Sequence, residues 1–226
     1  MRTLFDASER RRPIYTLYDA ERSGGSFVRA VLAETGASHD VVIIDHRKDE
    51  HLSDDYTRIN PRRQLPALRV ADDSVMTEGV AIALHLAERH PEARLLPPEA
   101  TPGRAQVTRW LLFFATNVYE AQSRIARPAR FVNDPACAPA VAAAAAMSID
   151  DHYRIFEQEL GAGPYLLGQH ACLVDLYVWM LTQWHRDLGW LKAHCPKIVA
   201  LVAAVMARPR IVPLHRRLFG PGIGLS

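Results

Sequence analysis

Four prolines in the stretch HPEARLLPPEATP, Pro91, Pro97, Pro98 and Pro102, separate two regions with different apolar patterning. Proline lacks a backbone donor and clashes with the preceding turn, so no regular helix runs through such a segment. The break predicts a linker over residues 91–102, with one unit at 13–90 and another at 103–218. Before it, Ile14 to Tyr18 is a short β-branched and aromatic run, and Phe27 to Thr35 has helical spacing that Gly36 stops. Val41 to Asp45 reads as a buried strand parallel to the first, and the polar stretch His46 to Arg58 reads as loop plus short helix. After the break, helices are predicted over Gly103–Arg127, Pro135–Leu160, Val174–Leu188 and Pro196–Met206, with no strand among them. The alanine run Ala142 to Ala146 is explained by helix propensity alone.

Composition excludes several functions. A chain of 226 residues with 49% hydrophobic content buries one large core or two modest ones. A net charge of +2 gives no case for a nucleic-acid partner. The basic clusters Arg10–Arg12 and His215–Arg217 read as solvated tails. Met1 to Arg12 holds no signal-like apolar core, and no stretch approaches the ~18 apolar residues of a membrane span. A cytoplasmic protein without membrane association is therefore expected. Cys137, Cys172 and Cys195 are odd in number and widely spaced, which disfavours disulfides, and the ten histidines show no metal-ligand spacing.

Residues 60–82, NPRRQLPALRVADDSVMTEGVAI, carry the functional signal. Leu65-Pro66, poised before a strand, is a candidate cis peptide that leaves the Leu65 N–H and C=O free to pair with an extended, peptide-like ligand. Asp72-Asp73 makes a tight turn, Ser74 to Thr77 returns as a partner strand, and Thr77-Glu78-Gly79 opens a helix whose unpaired N–H groups favour an anion. A second site lies in Arg22-Ser23-Gly24-Gly25-Ser26, after the first strand and at the start of the first helix. Free N–H groups and the helix dipole stabilise a thiolate there. No cysteine occupies the loop, so the thiol must come from a ligand.

The segment 60–82 resembles the glutathione-binding half of the cytosolic glutathione transferase superfamily, where Gln-Val-Pro-Ala-Leu, a hairpin and Thr-Glu-Ser-x-Ala-Ile recur. In the second region, Leu166-Leu-Gly168-Gln-His-Ala-Cys172-Leu-Val-Asp175 is similar to the family's Leu-x-Gly-x-x-x-Ser-x-x-Asp helix cap, with Cys172 in place of the serine. The resemblance, closest to bacterial serine-type members, implies an α/β thioredoxin-like N-terminal domain followed by an all-α C-terminal domain. It implies glutathione as co-substrate, held by Gln64, Leu65, Pro66, Glu78 and Gly79. Gly79 stands where the family has a serine, so one hydroxyl donor to the γ-glutamyl carboxylate is missing.

Ser23 is the first choice for the hydroxyl that donates to the glutathione sulfur, Ser26 the second, and a backbone N–H at Gly24-Gly25 the third. The second substrate, a small hydrophobic or acidic electrophile, is expected against Trp110, Phe113, Phe114, Asn117, Tyr119 and Arg124. If Arg124, Arg127 and Arg130 face the cleft, an acidic substrate is favoured. Conjugation of glutathione to a small apolar electrophile is the leading reaction. A lyase, isomerase, dehalogenase or peroxidase on the same site, and a non-catalytic interaction module, are the alternatives. The family also implies a homodimer.

Overall fold

The computed structural model describes residues 14–220. The first half contains β1 (Tyr15–Asp19), α1 (Gly25–Thr35), β2 (His39–Ile43), α2 (Asp54–Ile59), β3 (Ala67–Arg69), β4 (Val75–Thr77) and α3 (Gly79–Arg89). The strands form one sheet in the order β2-β1-β3-β4, with β1 parallel to β2 and the other pairs antiparallel. Leu17 lies opposite Leu68, and both are fully buried. Gly36 ends α1 in the left-handed region (φ 68°), where glycine carries no Cβ penalty. This is the predicted βαβ, helix, ββα arrangement.

The expectation of a buried second strand needs correction. β2 is an edge strand that starts at His39, and its Val42 and Ile43 are 40% and 45% exposed. A β-branched run of this kind specifies a strand and not its place in the sheet.

Past the linker come α4 (Pro102–Phe113), a π-helical turn over Phe114–Tyr119, α5 (Glu120–Ala126), a 3-10 turn over Pro128–Phe131, α6 (Ala138–Glu159), α7 (Leu173–Thr182), α8 (Leu188–His194), α9 (Pro196–Met206) and α10 (Ile211–Phe219). The expected helix to Leu188 stops at Thr182, and a new one starts where Asp187 accepts from the Trp190 N–H at 2.8 Å. The His215–Arg217 cluster is part of α10 and not a tail. His215 is buried and accepts a hydrogen bond from the Trp179 indole at 3.2 Å. The Arg10–Arg12 cluster lies outside the described residues. No single described helix is long and apolar enough to cross a membrane.

One contiguous apolar core runs through both halves, from Tyr15 to Leu218. Phe27 on α1 stacks on Tyr177 on α7 at 4.6 Å between ring centroids. Arg208 grips Glu34 through two hydrogen bonds of 2.8 and 2.7 Å, and Arg210 donates to the carbonyls of Ala33 and Glu34 at the end of α1.

The start of α7 is held by Asp175, whose carboxylate accepts from the N–H groups of Cys172 (2.7 Å) and Leu166 (2.9 Å). Burial pushes this carboxyl up to about 6 in spite of those bonds. The reciprocal contact, from the Asp175 N–H to the Cys172 sulfur, is the weak half of the cap because a thiol is a poor acceptor. Cys172→Ser is therefore expected to stabilise the fold by about 1 kcal/mol, read from the urea midpoint at unchanged slope. An unchanged or lower midpoint contradicts this account of the cap.

Candidate active site

The Leu65 slot is positioned from behind. The Tyr56 hydroxyl and the Asn60 amide both donate to the Gln64 carbonyl at 2.7 Å, and both side chains are buried. The next peptide bond, Leu65-Pro66, is cis. Among the described residues neither the N–H nor the C=O of Leu65 has a hydrogen-bond partner. A cavity of about 390 Å³ is lined by Gln64, Leu65 and Pro66 and by Thr77, Glu78, Gly79 and Val80. Here α3 begins, with its first N–H groups lacking intrahelical acceptors. Glu78 sits at φ 66°, a strained setting for a residue with a side chain, and ion-pairs with Arg62 at 2.6 Å. A Cβ on Gly79 would meet only Pro66 Cγ, at 3.8 Å, so the site has room for a larger residue.

At the other end of the cavity, β1 runs into α1. Asp19 is fully buried and accepts from Arg29 Nε at 2.6 Å. Burial raises its carboxyl above the usual range, against the pull of the Arg29 charge and the Ser23 hydroxyl. Ser23 Oγ donates to Asp19 Oδ1 and accepts from the Gly25 N–H at 3.0 Å. The Ser23 hydrogen is thus directed at a buried carboxylate. The Gly24 N–H has no partner among the described residues.

The two glycines have separate steric roles. A Cβ on Gly25 would lie 2.0 Å from Asp19 Oδ1, whereas one on Gly24 would lie 2.5 Å from the Tyr119 hydroxyl. Ser26, the second serine of the loop, is fully buried with an unpaired hydroxyl, and it lines neither cavity described here.

A larger cavity of about 790 Å³ adjoins the first and shares Gly24, Arg62, Gln64, Leu65, Tyr119 and Glu120 with it. The π-helical turn brings Tyr119 there, since an i→i+5 turn shifts the helix face that follows. Burial raises the Tyr119 hydroxyl above its ordinary range, and the nearby Arg127 charge opposes that.

Of the residues expected to meet the second substrate, only Tyr119 lines these cavities. Trp110 and Phe114 are fully buried in the core. Phe113 packs edge-on against Trp110, Phe114 and His152. Asn117 donates back to the Phe113 carbonyl at 3.0 Å. Arg124 lies over the Phe131 ring, 3.9 Å from Glu120. The hydrophobic effect draws the large rings inward, and the wall of the smaller cavity falls instead to Leu112, Ala115 and Tyr119. Of the three arginines whose facing the cleft would favour an acidic substrate, Arg127 and Arg130 line the larger one and Arg124 does not; Phe131 and Trp184, not among the expected site residues, line it with them.

Comparison with known proteins places this architecture. The family description "Glutathione S-transferase, N-terminal domain" matches residues 27–89, and "Glutathione S-transferase, C-terminal domain" matches residues 134–213. Glutathione S-transferase GstA of Escherichia coli O157:H7 is 26% identical over 80% of this chain and 87% of its own length. Human glutathione S-transferase theta-1 is 30% identical over 59% of this chain and 57% of its own. A glutathione transferase homolog from Sulfitobacter, crystallised with bound glutathione, superposes with a TM-score of 0.82 at 25% identity, covering 90% of this chain and 98% of that one. The chain belongs to the glutathione S-transferase superfamily.

The division of labour between the glycines is testable. Gly25→Ala forces backbone or the buried Asp19–Arg29 pair to move and is expected to cost about 2 kcal/mol or more. Gly24→Ala meets only the far end of a tyrosine ring and is expected to cost less than half as much. Urea unfolding of both variants gives the order, and the reverse order contradicts this reading.

Proposed function

We propose that the chain is a glutathione transferase whose bound thiolate attacks an electrophilic carbon of a small, largely apolar compound. The supporting observation is that one continuous groove brings together the unpaired Leu65 main chain, the open start of α3 and the start of α1. Leu65 offers an extended peptide both strand-type hydrogen bonds. The first N–H groups of α3, at Gly79 and Val80, take the γ-glutamyl carboxylate. The sulfur then falls beside Ser23 and Gly24.

An ordinary thiol has a pKa of about 8.5, and each unit of lowering takes about 1.4 kcal/mol of preferential thiolate binding. The free Gly24 N–H and the helix start supply part of this, as does the Tyr119 hydroxyl pressed against Gly24. Ser23 contributes by turning its hydrogen from Asp19 to the sulfur. In the reaction a C–S bond forms and the leaving group departs with its electron pair. The thiol proton has already gone to solvent. Positioning of the two reactants in one groove adds to thiolate activation. The homodimer implied by the family belongs to this reading.

Lyase, isomerase, dehalogenase or peroxidase chemistry would use the same thiolate, and product analysis over a panel of electrophiles divides these from conjugation. Gly79 favours the non-catalytic alternative, because it removes a hydroxyl donor from the γ-glutamyl site.

Calorimetry is expected to give a micromolar to submillimolar glutathione Kd, with Ser23→Ala raising the apparent pKa of the bound thiol by roughly one unit. No binding at millimolar glutathione contradicts the transferase. An unchanged pH profile in Ser23→Ala moves thiolate stabilisation to Gly24 and Tyr119. Because Gly79 has room for a side chain, Gly79→Ser is expected to tighten glutathione binding by about three- to tenfold. Equal or weaker binding contradicts the assignment of that helix start to the γ-glutamyl carboxylate.

A further inference from the structure

The geometry points to an anionic second substrate: a small aromatic compound whose carboxylate is met by Arg127 and Arg130 and whose ring lies against Tyr119 and Trp184. The inference rests on the transferase reading, since it names the class of compound that shares the groove with glutathione.

The larger cavity has an unbalanced wall. Arg22, Arg63, Arg127 and Arg130 line it, and among the described residues none has a carboxylate within 4.0 Å. The other charged groups there are accounted for. Arg62 is paired with Glu78 at 2.6 Å, and Glu120, the carboxylate that lines this cavity, has Arg124 at 3.9 Å. Elsewhere among the described residues Arg29, Arg104, Arg109 and Arg208 have an acidic partner and Arg47, Arg89, Arg94 and Arg210 have none within 4.0 Å, so what sets the four apart is that they line one cavity together.

A further observation points the same way. Across the cavity, burial and His51 hold the His46 ring below its ordinary range, and the charges of Arg127 and Arg130 add to the effect. Their field therefore reaches the sheet half of the groove.

In this reading one guanidinium from the sheet half pairs with the single glycine carboxylate of glutathione. Arg127 and Arg130, from the turn after α5, are left for the second substrate. The wall between the charges is aromatic. The Tyr119 and Trp184 rings lie 5.7 Å apart, and Phe131 stands 42% exposed at the rim. A flat ring with a carboxylate matches both features. Because the arginines are exposed, the attraction is screened by salt.

The test compares 4-chloro-3-nitrobenzoate with its neutral analogue 4-chloro-3-nitrobenzamide. In both, the thiolate sulfur bonds to the chlorine-bearing carbon and chloride leaves with the C–Cl electron pair. The thiol proton goes to solvent, and nothing is oxidised or reduced. For each probe kcat/KM is divided by the uncatalysed rate constant with glutathione, and the probe's own Kd is measured without glutathione. The benzoate is expected to be preferred by roughly tenfold at about 10 mM ionic strength and by much less at about 0.5 M.

The Arg127→Ala, Arg130→Ala double variant is expected to lose the preference mainly through KM, with the glutathione Kd within about twofold of wild type. Should it fail to fold by circular dichroism, Arg127→Gln is read in its place. Equal normalised rates and equal probe affinities, with glutathione still binding, overturn the anionic substrate and leave the transferase standing. If glutathione does not bind, the transferase reading falls and with it the role of second substrate; the probe Kd values then decide the site alone, tighter benzoate supporting an anionic aromatic ligand at Arg127 and Arg130 and equal affinity overturning it. The same comparison decides if neither probe turns over.

Discussion

The stacking of Phe27 on Tyr177 is the contact on which the groove depends. Both residues belong to the one core shared by the two halves, and both also line the smaller cavity. Their packing holds α1 against the helical half, and the Arg208–Glu34 pair and the Arg210 hydrogen bonds hold its far end. With α1 fixed at both ends, the loop carrying Ser23, Gly24 and Gly25 has a defined place. Tyr119 can then rest on Gly24 with no room for even a methyl group between them.

Two sets of polar contacts support the groove. The Tyr56 and Asn60 side chains saturate the Gln64 carbonyl, which leaves the main chain of Leu65 as the next group with hydrogen-bonding capacity. The buried Asp19–Arg29 pair fixes Ser23. Buried ion pairs contribute little net stability, because desolvation offsets their attraction, but breaking one is costly. This pair is better understood as a device for placing the hydroxyl than as a source of stability.

Sequence reading recovers the parts governed by local rules. The β-branched and aromatic run of β1, the Gly36 stop, the Asp72-Asp73 turn and Pro66 all act through a few consecutive residues, and all stand in the structure where expected. What it missed depends on tertiary placement. Val41 to Asp45 looks buried on composition, yet β2 is an edge. Trp110, Phe113 and Phe114 look equally suited to a pocket or a core, and only the packing of α6 and α7 decides between them. The π-helical turn leaves no periodicity to detect, so of the expected face Tyr119 reaches the cavities while Asn117 and Arg124 do not. α10 was hidden by Pro213, which is tolerated because it falls in the first helical turn. Asp19 offered only a glycine at residue 25 as its sign.

The central claim is that the Leu65 main chain and the starts of α1 and α3 form a single binding surface for glutathione. Amide resonances of the 15N-labelled protein test it directly during addition of glutathione. The account predicts saturable shifts at Leu65, Gly24, Gly79 and Val80 that share one Kd. Shifts confined to other regions, or different saturation points for these four amides, would contradict it.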